Sequence, residues 1–362
     1  MALSVMVSIG TDRRPKALGT ALWPGTDSSV DILITMADTA SAAGHRPRAV
    51  ALMNQKGGVG KTTTAVNLGA AIAEAGRRVC LIDLDPQAHL TLHLGINAEQ
   101  AQHTVYDLLV DPDCPAAHCL VTAAQNLDVI PSEVDLAAAE IELASRPDRQ
   151  QILSRKFATI EDLYDVVLID CPPSLGLLTL NALALADEVL VPLQAHFLAL
   201  QGVGKLLETV GLIRQSVNSD LRVAGIILCM HEKQTSLAKE VVADLESFFQ
   251  AARSQDVPWR DCQVLRPVVR RNIKLAEAPS FGQTIFDYAP RCAGANDYRI
   301  LAQRLIEVWD AEIESAVDNA HASATIEVTS QLVSRPRKVP TSQVASSAGA
   351  QRPRGMTKQR DF

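Results

Sequence analysis

The sequence predicts an α/β fold: a mostly parallel twisted sheet with helices on both faces, forming a single domain with flexible N- and C-terminal extensions. Three observations predict it. Short unbroken apolar runs, such as VCLID at 79–83 and YDVVLID at 164–170, recur along the chain, and runs of this kind mark strands buried on both faces. Longer segments with helical periodicity separate them, the pattern of strand–helix–strand crossovers. A glycine-rich turn joins the first strand to the first helix. With 47% hydrophobic but only 4% aromatic residues, the core must be aliphatic.

The elements follow in order. Residues 50–53 form a short apolar strand, and 61–75 a helix that Gly76 stops. Strands are expected at 79–83, 126–130 and 164–170, a helix at 175–186 and a strand at 188–193. A helix at 200–217, a strand at 222–230 and a helix at 236–252 come next. The strand series closes at 264–269, and 297–315 is a final amphipathic helix. This places the folded domain at 48–315. Residues 1–47, rich in small polar residues, read as a disordered extension in which Met36 is an alternative start. Residues 316–362, dominated by Ser, Ala, Thr, Pro and Arg, read as a basic disordered tail that buries too little apolar surface to offset its ordering entropy. The pattern leaves strand order open.

Composition excludes several classes. No run of 18 apolar residues exists, so stable membrane insertion is not expected. The N-terminus lacks the basic region of a secretory signal. Seven cysteines, an odd number without a CxxC pair, read as reduced thiols in a cytoplasm. The net charge is −7, yet residues 331–362 carry seven basic residues against one acid, and 260–304 eight against four. An acidic chain can bind nucleic acid when its positive charge gathers on one face.

The strongest motif is NQKGGVGKTTT at 54–64, between strand and helix. Gly57, Gly58 and Gly60 let the backbone turn tightly, so that N–H groups, including that of Val59, converge on one anion. The helix opening at Lys61 adds its N-terminal partial charge. Lys61 is placed for the β- and γ-phosphates, Thr62 for Mg²⁺ and Thr63 for the α-phosphate, which makes ATP and Mg²⁺ the expected ligands. The first glycine of GxxxxGK[ST] is replaced by Gln55, and a second lysine, Lys56, stands at the loop entrance. Lys56 can scarcely fold back beside Lys61, and it could point toward the phosphates of a second subunit.

Two further strands end in acids. Asp83 and Asp85 lie in LIDLDPQ, and Asp170 in VVLIDCPPS. Such strand ends are where sheet-top ligands gather in α/β folds. Asp170 fits a position that holds a Mg²⁺-bound water, and Asp83 supports the metal or its waters. Pro172, Pro173 and Ser174 form a stiff loop able to sense the γ-phosphate. His89 and His93 have helical metal-ligand spacing but no convincing third ligand, and Cys171 reads as a small buried residue.

The KGGVGKTT pattern resembles the deviant Walker A motif of the ParA/MinD ATPases. RRNIKLAEAPSFGQTIFDY at 270–288, EVLVPLQAHFLALQGVGKLL at 188–207 and GANDYRILAQRL at 294–305 are similar to the ParA (Soj) type. The resemblance covers about 48–308. It implies an ATPase, weak and partner-stimulated, that forms an ATP-dependent homodimer in which Lys56 crosses the interface. It also implies that Asp85 activates the attacking water. Such proteins bind double-stranded DNA non-specifically, work with a ParB-type partner in chromosome or plasmid segregation, and reside on the nucleoid when ATP-bound. Arg270, Arg271 and Lys274 are the candidate DNA contacts, with Lys233 and Lys239 nearby, and Asn272 is a candidate neighbour of the adenine. Where the family carries an arginine of the DNA-binding surface, CMHEKQT at 229–235 places Gln234. The alternative is a positioning or regulatory ATPase acting on a non-DNA cargo or the membrane surface. The end of the chain, QRPRGMTKQRDF, lacks the apolar stripe that a membrane helix needs.

Overall fold

The computed structural model describes residues 46–196, 199–232 and 236–333. The expected N-terminal extension up to 45 and the tail from 334 lie outside the described residues. The chain divides into two compact units, one ending at Leu305 and one beginning at Ile306.

The first unit opens with β1 (Arg48–Leu52) and α1 (Lys61–Glu74), followed by β2 (Val79–Asp83), α2 (His89–His93) and α3 (Val105–Val110). Then come β3 (Val121–Ala124), β4 (Leu127–Ile130), α4 (Leu136–Glu142), α5 (Ile152–Phe157), β5 (Val166–Asp170) and α6 (Leu177–Leu185). The second half holds β6 (Glu188–Leu193), α7 (Ala199–Ser216), β7 (Arg222–Leu228), α8 (Ser236–Ala252), β8 (Gln263–Val264), α9 (Ile273–Glu277), α10 (Ile285–Tyr288) and α11 (Ala293–Val333).

Eight strands form one sheet in the order β3-β4-β2-β5-β1-β6-β7-β8. All neighbours are parallel except β3 and β4, which pair antiparallel at the edge. The predicted α/β class therefore holds. The unbroken apolar runs have the predicted cause, because every residue of β2, β5 and β6 is buried. The order puts β5 and β1 at the centre. Parallel register sets Asp83 of β2 beside Asp170 of β5, and Asp170 beside Leu52 of β1. Three strand ends thus meet at one level, directly under the glycine-rich loop that leaves β1.

Two elements depart most from the sequence pattern. The last strand is only Gln263–Val264, because Pro267 has no N–H to continue a ladder to 269. The final helix begins at Ala293 and continues to Val333 rather than ending at 315. No Pro or Gly interrupts 295–335, so nothing in the local chemistry stops it. The second unit consists, among the described residues, of the remaining turns of this helix. No described helix is long and apolar enough to cross a membrane.

Candidate nucleotide site and its carboxylates

Between β1 and α1 the chain must reverse tightly, and glycine makes this possible at two points. Gly58 has φ 72° and Gly60, the residue before α1, φ 99°, both in the left-handed region that side chains avoid. At Gly60 space also matters, since an added Cβ would lie 3.3 Å from Cβ and Sγ of Cys229. Val59 is fully buried and pins the loop, whereas Gly57 is exposed. Asn54, itself buried, braces the entrance: its Nδ2 donates to the Pro192 carbonyl at 2.8 Å, and its Oδ1 accepts the Lys56 N–H at 3.0 Å.

The two lysines of this loop are placed differently. Lys61 is only 7% exposed, at the start of α1. Lys56 is exposed, and its Nζ lies 2.7 Å from Nε2 of His196. Thr63 is half-buried, and its carbonyl accepts from Asn67 Nδ2 at 2.8 Å. Asn67 Oδ1 in turn accepts the Ile285 N–H at 2.7 Å, which ties α1 to α10. Thr64 Oγ1 lies 3.1 Å from the buried Tyr298 hydroxyl, and so links α1 to α11.

The carboxylates divide their tasks. Thr62 Oγ1 donates to Asp170 Oδ2 at 2.6 Å, whereas Asp170 Oδ1 is buried with no partner. Asp83 is held from both sides. Its Oδ2 accepts Thr91 N–H at 2.9 Å and Thr91 Oγ1 at 2.8 Å, and its Oδ1 accepts the Asp85 N–H at 3.2 Å. Burial, followed by the neighbouring Asp83, pushes the Asp170 pKa well above the ordinary carboxylate range, and burial raises Asp83 as well. Two buried acids with one unmet oxygen, beside a hydroxyl and a buried lysine, are what a divalent cation would stabilise. The residues present fit Mg²⁺ at Asp170 and Thr62. Asp83, with both oxygens engaged, instead fixes the loop that carries Asp85. Asp85 is half-buried, accepts the Gln87 N–H at 3.0 Å, and is anchored through its carbonyl by Ser132 Oγ at 2.8 Å.

The basic segment is more tied down than its composition suggests. Arg270 forks onto Asp297, with Nη2 2.6 Å from Oδ1, and the Asp297 side chain is 4% exposed. Arg271 pairs with Glu232 at 2.7 Å, and Lys274 with Glu277 at 2.8 Å. Asn272 caps α9, its Oδ1 accepting the Lys274 N–H at 3.0 Å. Lys239 is exposed on α8, while Lys233 and Gln234 lie outside the described residues.

The carboxylate loop and this segment touch backbone to backbone. Gly95, just after α2, and Gly282, after the EAPS stretch, approach so closely that a Cβ on Gly282 would lie 2.9 Å from Gly95 Cα. Both adopt positive φ, 67° and 64°. His93 is buried beside them with Nε2 unpartnered, and its ring donates to the Gln283 carbonyl.

Residues 47–223 match the family described as an AAA domain. The sporulation initiation inhibitor protein Soj of Bacillus subtilis is 44% identical over 256 residues, 71% of this chain and 97% of Soj. The chromosome partitioning protein ParA of Myxococcus xanthus is 41% identical over 261 residues, 72% of this chain and 88% of that protein. The chain belongs to the ParA/Soj family of P-loop ATPases. A crystal structure described as cobyrinic acid a,c-diamide synthase from Mycobacterium smegmatis, with bound ADP and magnesium, shares 36% identity. Its TM-score is 0.62, over 74% of this chain and 96% of that one. ATP and Mg²⁺ are accordingly the cofactors of this ParA/Soj ATPase.

Motif reading found the glycine-rich loop and the three acids. It missed Thr91, which holds Asp83, and His196, which meets Lys56. Neither belongs to a phosphate-loop pattern, and only the fold brings them to their partners.

Proposed function

We propose that this chain is a partitioning ATPase: ATP closes two copies face to face, the closed pair binds double-stranded DNA without sequence preference, and a ParB-type partner triggers hydrolysis. It would act in chromosome or plasmid segregation, in the cytoplasm and on the nucleoid when ATP-bound. The observation that carries this reading is the contrast between two lysines of one loop, Lys61 buried at the helix start and Lys56 exposed at the entrance. A single nucleotide site needs the first; the exposure of the second supports reading it as serving a neighbouring copy.

The residues act as follows. N–H groups of 57–63 and the N-terminus of α1 receive the phosphates, and Lys61 neutralises the β- and γ-oxygens. Thr62 and Asp170 hold Mg²⁺, whose charge offsets that of the phosphate oxygens when it is bound. Asp83 grips Thr91 and the Asp85 N–H, so the Asp85 carboxylate is aimed rather than free. Asp85 orients the attacking water toward the γ-phosphorus. Asn272 stands beside the base. Arg271, Lys274 and Lys239, with Lys233, supply phosphate contacts whose number is doubled by pairing of copies, which multiplies DNA affinity. The ion pairs of Arg270, Arg271 and Lys274 favour a second reading, a positioning ATPase with a non-DNA cargo.

DNA retention with and without ATP, at two salt concentrations, tests the proposal. Wild type should bind only with ATP and lose affinity steeply with salt. Lys61→Ala should neither pair nor bind. DNA binding that ignores nucleotide would overturn the switch, and absence of DNA binding by an ATP-paired chain would leave the second reading.

A further inference from the structure

Lys56 has a partner on its own chain. The loop entrance is clasped twice, once to the end of β6 and once to the segment that follows it. The inner clasp is Asn54 Nδ2 on the Pro192 carbonyl at 2.8 Å, and the outer is Lys56 Nζ on His196 Nε2 at 2.7 Å. An ammonium only donates, so Nε2 must accept and the imidazole must be neutral, with its proton on Nδ1. Desolvation and the adjacent Lys56 charge both hold the His196 pKa below its ordinary value, which favours that neutral ring. The backbone carbonyl of His196 accepts the Ala199 N–H at 2.9 Å at the start of α7, so the ring is mounted where β6 hands over to the next helix.

We propose that His196 is a positioning residue that retains Lys56 on its own subunit until a second copy's nucleotide competes for it. The inference rests on the reading of Lys56 as the lysine that crosses between copies. On that reading, Lys56 cannot serve both sites at once. Each pairing event breaks two Lys56–His196 contacts, one per copy. An exposed charge-assisted contact is worth roughly a three-fold factor, so two amount to about a ten-fold penalty on pairing. His196 thereby sets the concentration at which ATP closes the dimer, and leaves the phosphate loop itself intact.

The test is assembly measured by light scattering over a dilution series of the full chain, with Mg²⁺ and a slowly hydrolysed ATP analogue. His196→Ala should lower the dimer dissociation constant about ten-fold. His196→Gln, whose amide oxygen can accept from Lys56, should return it most of the way to wild type. The double variant Lys56→Ala/His196→Ala should behave as Lys56→Ala alone. A second readout is the NMR titration of the His196 ring in the nucleotide-free chain, whose pKa should rise in Lys56→Gln. If His196→Ala pairs no more tightly than wild type while Lys56→Ala abolishes pairing, the retention role is wrong and the crossing lysine stands. If Lys56→Ala pairs as wild type does, the crossing lysine falls, and this inference with it.

Discussion

Lowering the pH from 6.5 to 5 should destabilise this chain by about 2 kcal/mol through one side chain, His93. The ring is 3% exposed, its Nε2 has no partner, and burial pulls its pKa down to about 4. A histidine whose folded pKa lies below the unfolded value contributes stability that is present above pH ~6.5 and lost as pH falls toward the folded value. Within that window the unfolded chain takes up a proton that the folded chain refuses, at about 1.4 kcal/mol per pH unit. The loss corresponds to roughly 4–8 °C in Tm for a domain of this size. His93→Phe removes the titration but keeps a ring in the space. It also leaves the Gln283 carbonyl without its donor, a cost on the order of 1 kcal/mol that does not change with pH. Calorimetric melts of both proteins without nucleotide, at pH 6.5 and 5.0, isolate the effect, because carboxylates that titrate in this range are common to both. The variant should be the less stable at pH 6.5 and lose about 2 kcal/mol less on acidification. Equal losses in the two proteins would refute the reasoning, as would a His93 ring that titrates near 6.5 by NMR.

Gly60→Ala should weaken nucleotide binding at least ten-fold in a fluorescence titration, because φ 99° and the 3.3 Å approach to Cys229 force the loop open; the left-handed conformation alone costs about 1–2 kcal/mol. Asp85→Ala should still bind ATP and pair, yet release phosphate at least ten-fold more slowly; wild-type turnover would remove Asp85 from the chemistry. Arg270→Ala should lower stability in urea melts by on the order of 2 kcal/mol, because it strands the buried Asp297 carboxylate. Charge reversal at Arg271 and Lys274, by contrast, should leave the melt near wild type and reduce both DNA affinity and its salt slope.

The fold was legible where burial was one-dimensional. In VCLID and VVLID every side chain before the terminal aspartate is apolar because both sheet faces are covered, so the strands can be read without partners. Strand order was not legible, because parallel neighbours are chosen by packing between segments far apart in the chain. The short helices α2 to α5 went unread for a similar reason: α2 is held by Thr91 gripping Asp83, a contact no local pattern announces. At the site, the glycine-rich loop is self-contained and showed its chemistry in eleven letters. Arg270 looked like surface charge, since its partner Asp297 is 27 positions away and meets it only through the fold.

The abutment of Gly95 on Gly282 has a consequence for how this protein can vary. Two bare main chains with no side chain between them leave no cushion to absorb a change. A single methyl on Gly282 must shove Gly95 aside, and α2 moves with it, loosening the hold of Thr91 on Asp83. A substitution at this backbone contact should thus register as slower hydrolysis, so a mutational map of this enzyme will show a sensitive spot there.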